Sequence, residues 1–261
     1  MRPVTEQNPD GADQNAKTVI DGHPLVAKLG AFIGIVTVGV YWFAFTAFGS
    51  SSLPWQIALV VEVLSPSIIY IHYLLNHRTR RLFWEGIAAC IGLLPFWMLM
   101  GSTWIFYFGF APMPSTIRMV ALTFWLTVTA GWIWLTWRNY TRATRKQDLM
   151  NQLYLKEASR IVYPQASDFV VARIESPGPS IVVPYWLVST LGPVFIAYAM
   201  VSGRVFEKTG GPHGVFIILS VLGLPISCWM LSNLFLRTVY FHIYLPLKLE
   251  SETGKKVILA P

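Results

Sequence analysis

A chain of 261 residues in which 54% are hydrophobic and only 13% charged lacks the charged surface, near a quarter of residues, of a typical soluble domain. Aromatic residues make up a further signal at 15%, since such rings favour the membrane–water interface. The net charge of +7 does not point to nucleic acid, because the basic residues fall between apolar runs and no aromatic-interleaved basic surface forms.

The first residues, Met1 to Asp21, are polar and mildly acidic. They lack the basic start and compact apolar core of a secretory signal, and read as the main part of a disordered cytoplasmic tail over 1–28. Six apolar runs then follow, each long enough for a helix rising ~1.5 Å per residue to cross a hydrocarbon core ~30 Å thick. The first, Leu29 to Phe48, is uncharged; the second, Leu53 to Leu75, carries Glu62 near its middle, and Gly49-Ser50-Ser51-Ser52 between them predicts a tight hairpin. The third runs from Glu85 to Ala111 with Pro95 and Gly101 inside it. Proline removes a backbone donor, so this run must tilt, kink or break near Gly101-Ser102-Thr103. The fourth is Ile117 to Trp137, the fifth Val182 to Val201 and the sixth Val215 to Leu236. The expected architecture is an all-α polytopic bundle: spans one to four over 29–137, a cytoplasmic loop over 138–181, spans five and six over 182–236, and a cytoplasmic tail over 237–261.

Orientation follows from the excess of Lys and Arg that cytoplasmic segments retain. Of the 20 basic residues, 17 fall on one side, and only Arg118, Arg204 and Lys208 on the other. Both termini are therefore expected in the cytoplasm. Within the loop, Thr141 to Val162 reads as a helix continuing the fourth span or lying on headgroups. Asp168 to Glu175, with its alternating Phe169-Val170-Val171-Ala172-Arg173-Ile174, reads as a short strand.

Among side chains that carry chemistry, Glu62 stands out, because an ionised carboxylate in the bilayer costs several kcal/mol and is normally protonated, paired or facing a polar cavity. Ser65-Pro66-Ser67 follow it, where the proline frees a carbonyl and the hydroxyls can bond back to the backbone. With His72 these make the intramembrane polar candidates: Glu62, Ser65, Ser67 and His72. Glu62 reads either as an ion or proton site or as a protonated group joining two helices. The basic residues Arg78, Arg80, Arg81, Arg138, Arg142, Arg145 and Lys146 fit anionic headgroups, though topology alone accounts for them. Gly30 and Gly34 have the spacing that lets helices approach closely.

Five histidines, His23, His72, His77, His213 and His242, form no haem-attachment motif, and the cysteines Cys90 and Cys228 both sit inside apolar runs. No cofactor and no metal site is expected. Glu85 near Arg80 and Arg81 reads as an ordinary helix-start acid. Phosphate-loop, zinc-helix and nucleophile-elbow motifs are missing, so no catalytic residue is named. The leading expectation is a non-enzymatic subunit of a secretion, conjugation or envelope assembly in a bacterial inner membrane, with lipid and other membrane subunits as partners and no nucleic acid. A small transporter or ion/proton channel using Glu62 comes second, a membrane-embedded lipid-modifying enzyme third.

Overall fold

The computed structural model describes residues 22–49, 51–76, 80–164, 166–174, 220 and 223–260, and over these the chain is mostly helical. Among the described residues four helices are long and apolar enough to cross a membrane, which makes this an integral membrane protein. In chain order they are α1 (Gly22–Phe48), α2 (Leu53–Asn76), α3 (Leu82–Met100) and α5 (Ser115–Thr144), with the short α4 (Thr103–Phe110) between the last two. Large apolar side chains such as Phe32, Ile35, Val60, Met119 and Val120 point outward from them, a surface that water would not tolerate in a monomer.

Helix α1 starts at Gly22, earlier than the expected Leu29, so the segment assigned to a tail supplies its first two turns. The third apolar run does break where expected. The Trp97 carbonyl accepts from both Gly101 N–H (2.7 Å) and Ser102 N–H (3.0 Å), and α4 begins at once on a new course. The fifth expected span and most of the N-terminal tail lie outside the described residues, as do His77, Arg78 and His213.

After α5 the chain turns at Arg145-Lys146 into α6 (Gln147–Leu153), then β1 (Leu155–Lys156), β2 (Ile161–Pro164) and α7 (Ser167–Ile174). The expected strand over Asp168–Glu175 is thus a helix. Its start carries an acid, Asp168, in the first turn, where the helix dipole favours negative charge, and that signal outweighs an alternation only six residues long. The expected helix through Val162 likewise ends early, because Ile161 and Val162 are committed to a sheet.

The sheet's third strand comes from the far end of the chain. Residues 223–229 are helical and continue without interruption through a π-helical turn Met230–Phe235, Leu236–Thr238, a second π-helical turn Val239–Tyr244, and Leu245–Thr253; this run is α8. After Gly254, β3 (Val257–Ala260) pairs parallel with β2, Ile161 opposite Val257, while β1 pairs antiparallel on the other edge. The residues expected to form a cytoplasmic tail are therefore folded structure. Leu82, Tyr140, Leu153, Tyr154, Ile161, Tyr163, Val171, Tyr240, Phe241, Leu245 and Val257 form one buried cluster, so loop, terminal helix and strand share a core with the ends of α3 and α5.

The π turns and Pro246 fit together. Proline has no N–H to give to the turn behind it, and the Phe241 carbonyl, five residues back, accepts instead from the Tyr154 hydroxyl at 2.6 Å. Gly86 lets α3 touch this part of α8, since a Cβ there would come within 2.8 Å of His242 Cβ and Ile243 Cγ1.

Leu153 is fully buried at the centre of this cluster. Leu153→Ala should cost about 2–5 kcal/mol locally and accelerate proteolysis within 154–174 in detergent at least tenfold. Unchanged proteolysis would mean that the module does not depend on this packing.

Candidate functional site

Helices α1 and α2 pack along a seam that the sequence writes as a three-four repeat. On α1 the buried positions are Ala27, Gly30, Gly34, Thr37, Tyr41 and Ala44; on α2 they are Pro54, Ala58, Glu62, Ser65, Ile69 and His72. This spacing keeps one face of each helix toward the other. Small residues on α1 leave room for large or polar ones on α2.

Glu62 occupies the middle of the seam. Its residue exposure is only 6%, and it lies against Gly34, where an added Cβ would meet Glu62 Cβ at 2.8 Å and Oε2 at 2.9 Å. The Thr37 hydroxyl stands beside the carboxyl group but donates to Ile33 O at 2.9 Å. Neither carboxyl oxygen of Glu62 has a hydrogen-bond partner among the described residues. Buried polar atoms are nearly always paired, and an exception calls for a physical reason. On its outer side Glu62 opens on an apolar groove of about 620 Å³ between α1 and α2, lined also by Gly39, Trp42, Pro66 and Ser67.

Polar groups extend from Glu62 toward the break after α3. The Tyr41 phenol, within electrostatic reach of Glu62, lies 2.6 Å from Ser102 Oγ and 3.1 Å from the Met98 carbonyl, to which Ser102 also donates at 2.5 Å. The freed backbone at the broken helix is thereby satisfied by side chains, as a membrane interior requires. In the opposite direction Ser65 is buried on the same face, whereas Ser67 faces outward and donates to Val63 O at 2.7 Å, the back-bonding that Pro66 invites.

His72 belongs to a different group, ten residues further along α2. Here His23 from the first turn of α1 and Glu85 from the first turn of α3 converge on it: His23 Nε2 lies 3.0 Å from Glu85 Oε2, and His72 Nε2 lies 3.7 Å from Glu85 Oε1. These two histidines and one carboxylate offer ligand atoms all within 4.8 Å of one another. Glu85 is thus more than a helix-start acid. Arg81, one turn before it, is instead paired with Glu250 at 2.7 Å, and Glu250 also accepts from Val257 N–H at 2.9 Å.

The basic candidates do not gather into a site. Arg80 and Arg81 hold β3, Arg80 through its carbonyl to Leu259 N–H at 2.8 Å. Arg138 lies over the Trp134 ring at 5.3 Å, and Arg142, Arg145 and Lys146 are exposed at the end of α5. The sequence gives no role to Thr37 or Tyr41, for which the α1 repeat was the available signal; it marks Ser102 only as part of a break, His23 only as one of five histidines and Glu85 only as a helix-start acid, and tertiary contact is what brings these three into polar clusters.

In the module built around the sheet, Tyr163 donates to Asp168 Oδ1 at 2.8 Å and His242 Nε2 lies 3.2 Å from the same oxygen. Burial alone would raise the Asp168 carboxyl, but the hydrogen bonds from His242 and Tyr163, with the charges of His242 and Arg237, outweigh it and hold the group below the usual carboxylate range. A lowered folded value contributes stability that is complete above the unfolded value, near ~4, and lost as pH falls through the folded one. Acidification below about pH 4 should therefore loosen the module, read as protease cleavage within 154–174, and Asp168→Asn should remove that component of the pH dependence. Gly34→Val tests the seam: crowding the Glu62 Cβ should lower stability by about 1–3 kcal/mol, read as a fall in Tm in detergent. An unchanged Tm would mean that α1 and α2 do not pack this closely. No family model matches this chain, and no curated protein or solved structure matches it either.

Proposed function

We propose that this chain is a six-span membrane protein, with both termini in the cytoplasm, that moves protons across the bilayer by protonation and release at Glu62. The observation that carries this reading is a carboxyl buried mid-helix with neither oxygen hydrogen-bonded among the described residues. A carboxyl whose role was to tie helices together would donate to an acceptor on a neighbour. An ionised one at this depth costs several kcal/mol, so Glu62 rests protonated and its proton is exchangeable. A single carboxyl with only scattered hydroxyls near it also falls short of the roughly six or more oxygen ligands that a hard metal cation such as Ca²⁺ takes. Pro66, one turn beyond, provides a point about which α2 can flex, and the Tyr41–Ser102 pair offers hydroxyls that can relay a proton toward the broken end of α3.

In proteoliposomes under an imposed pH gradient, the wild-type chain should pass protons, and Glu62→Gln should reduce the flux at least about tenfold, equivalent to ~1.4 kcal/mol on the barrier, while keeping its Tm. Equal flux in the two proteins would dispose of the reading. The topology has a separate test: a reporter active only outside the cytoplasm should score positive when fused near Ser51, Pro114 or Gly210 and negative near Arg80, Asn151 or Lys255. Activity at Asn151 would break the six-span arrangement.

A second reading, a non-enzymatic subunit of a larger secretion, conjugation or envelope assembly, is favoured by the cytoplasmic module. Its β1 edge is unpaired within the described sheet and carries Leu155, half exposed, the kind of edge that accepts a partner's strand. Stoichiometric co-purification of other membrane proteins from the native host in mild detergent would support it; a solitary particle would remove it.

A further inference from the structure

We propose that His23, His72 and Glu85 form a binding site for a transition-metal dication, Zn²⁺ by preference, that clamps the ends of three helices. Three features of the geometry support it. The donors are of the right kind, since two imidazoles and a carboxylate with a position left for water is a recurrent Zn²⁺ ligand set. The spacing is close to what an ion needs: a tetrahedral ion with bonds of ~2.0–2.1 Å holds its ligand atoms about 3.3–3.4 Å apart, and here the ligand atoms all lie within 4.8 Å of one another, with Glu85 Oε2 3.0 Å from His23 Nε2 and Glu85 Oε1 3.7 Å from His72 Nε2, so small side-chain rotations close the set around one ion. The rings are also oriented for it. Both histidines present Nε2, and they meet edge to face at 5.7 Å and 67° rather than stacking, so the two nitrogens converge on one point.

The surroundings keep this set available to a cation. Side-chain exposures of 15%, 9% and 14% for His23, His72 and Glu85 leave the cluster screened yet within reach of the helix ends. Arg81, one turn before Glu85, is engaged with Glu250. Each ligand comes from a different helix terminus: the first turns of α1 and α3 and the last two turns of α2. Three helix ends thereby become one cross-linked unit when an ion is bound.

This site is independent of Glu62, which lies ten residues away on α2 and contributes no ligand. The test uses the full chain in mild detergent, stripped with chelator and titrated with Zn²⁺ and, as a spectroscopic probe, Co²⁺. One equivalent should bind, Tm should rise with added Zn²⁺, and Co²⁺ should show the visible bands of a low-coordinate site. His72→Ala and Glu85→Gln should each weaken binding by more than the ~10–100-fold typical of second-shell changes, while the exposed Glu157→Gln leaves it unchanged. X-ray absorption on the wild-type Zn²⁺ protein, which does not depend on any variant folding, should show two imidazoles in the first shell. Sub-stoichiometric binding, or a first shell without two imidazoles, would overturn the proposal whatever the proton-flux result.

Discussion

The close approach of α1 and α2 is the constraint on which the membrane part of the molecule depends. Hydrophobic burial cannot drive it, because lipid tails are as apolar as the side chains; what remains is close packing between shapes that fit, together with polar contacts. Gly30, Gly34 and the alanines of α1 supply the shape, and only a surface that small can accept a carboxyl opposite it without opening a gap. The same seam that gives the hairpin its packing thereby places Glu62 out of water and short of partners. Stability and the candidate proton site are two consequences of one row of small residues.

At the end of the molecule that carries the sheet the governing requirement is different. A helix carrying Pro246 and two π-helical turns would leave backbone groups unpaired, and unpaired buried groups cost free energy comparable to a lost hydrogen bond. Tyr154, in the loop between α5 and α7, answers part of that need by donating its hydroxyl to Phe241 O, while Thr144 at the end of α5 ties the same helix down through a side-chain hydrogen bond with Tyr240 at 2.9 Å. Once Tyr154 is placed, β1 and β2 follow, and β2 presents the edge on which β3 pairs. The far terminus of the chain is held because the irregular helix before it needs the loop.

How much of this was legible beforehand depends on the range of the signal. Helices α1, α2 and α5 follow from runs of apolar residues about 20 long, and the break at Gly101-Ser102 follows from the residues themselves. The module escaped because its evidence is non-local: no property of Val257-Ile258-Leu259 announces a parallel partner nearly a hundred residues earlier, and Asp168 at a helix start was outvoted by an alternation. Glu62 was conspicuous because a charge inside an apolar run is a contrast within a few residues. His23 and Glu85, both beside charged or polar neighbours at span ends, present no such contrast, and only the antiparallel course of α1 and α2 brings the first turn of one beside the last turns of the other.

That antiparallel course also separates the two candidate sites mechanically. Glu62 and His72 share the buried face of α2 at a separation of about 15 Å along the helix axis, with Pro66 and Ile69 between them. Ile69 is almost fully buried and packs toward Gly92 of α3, so an apolar side chain stands between the two sites on this face of α2. A clamp at the His72 end would hold the last turns of α2 against α1 and α3. The portion carrying Glu62 lies on the other side of the proline, where the hydrogen-bond ladder is already missing a donor and bending costs least. Fixing one end of α2 therefore concentrates any flexing at Pro66, next to the carboxyl, rather than spreading it along the helix.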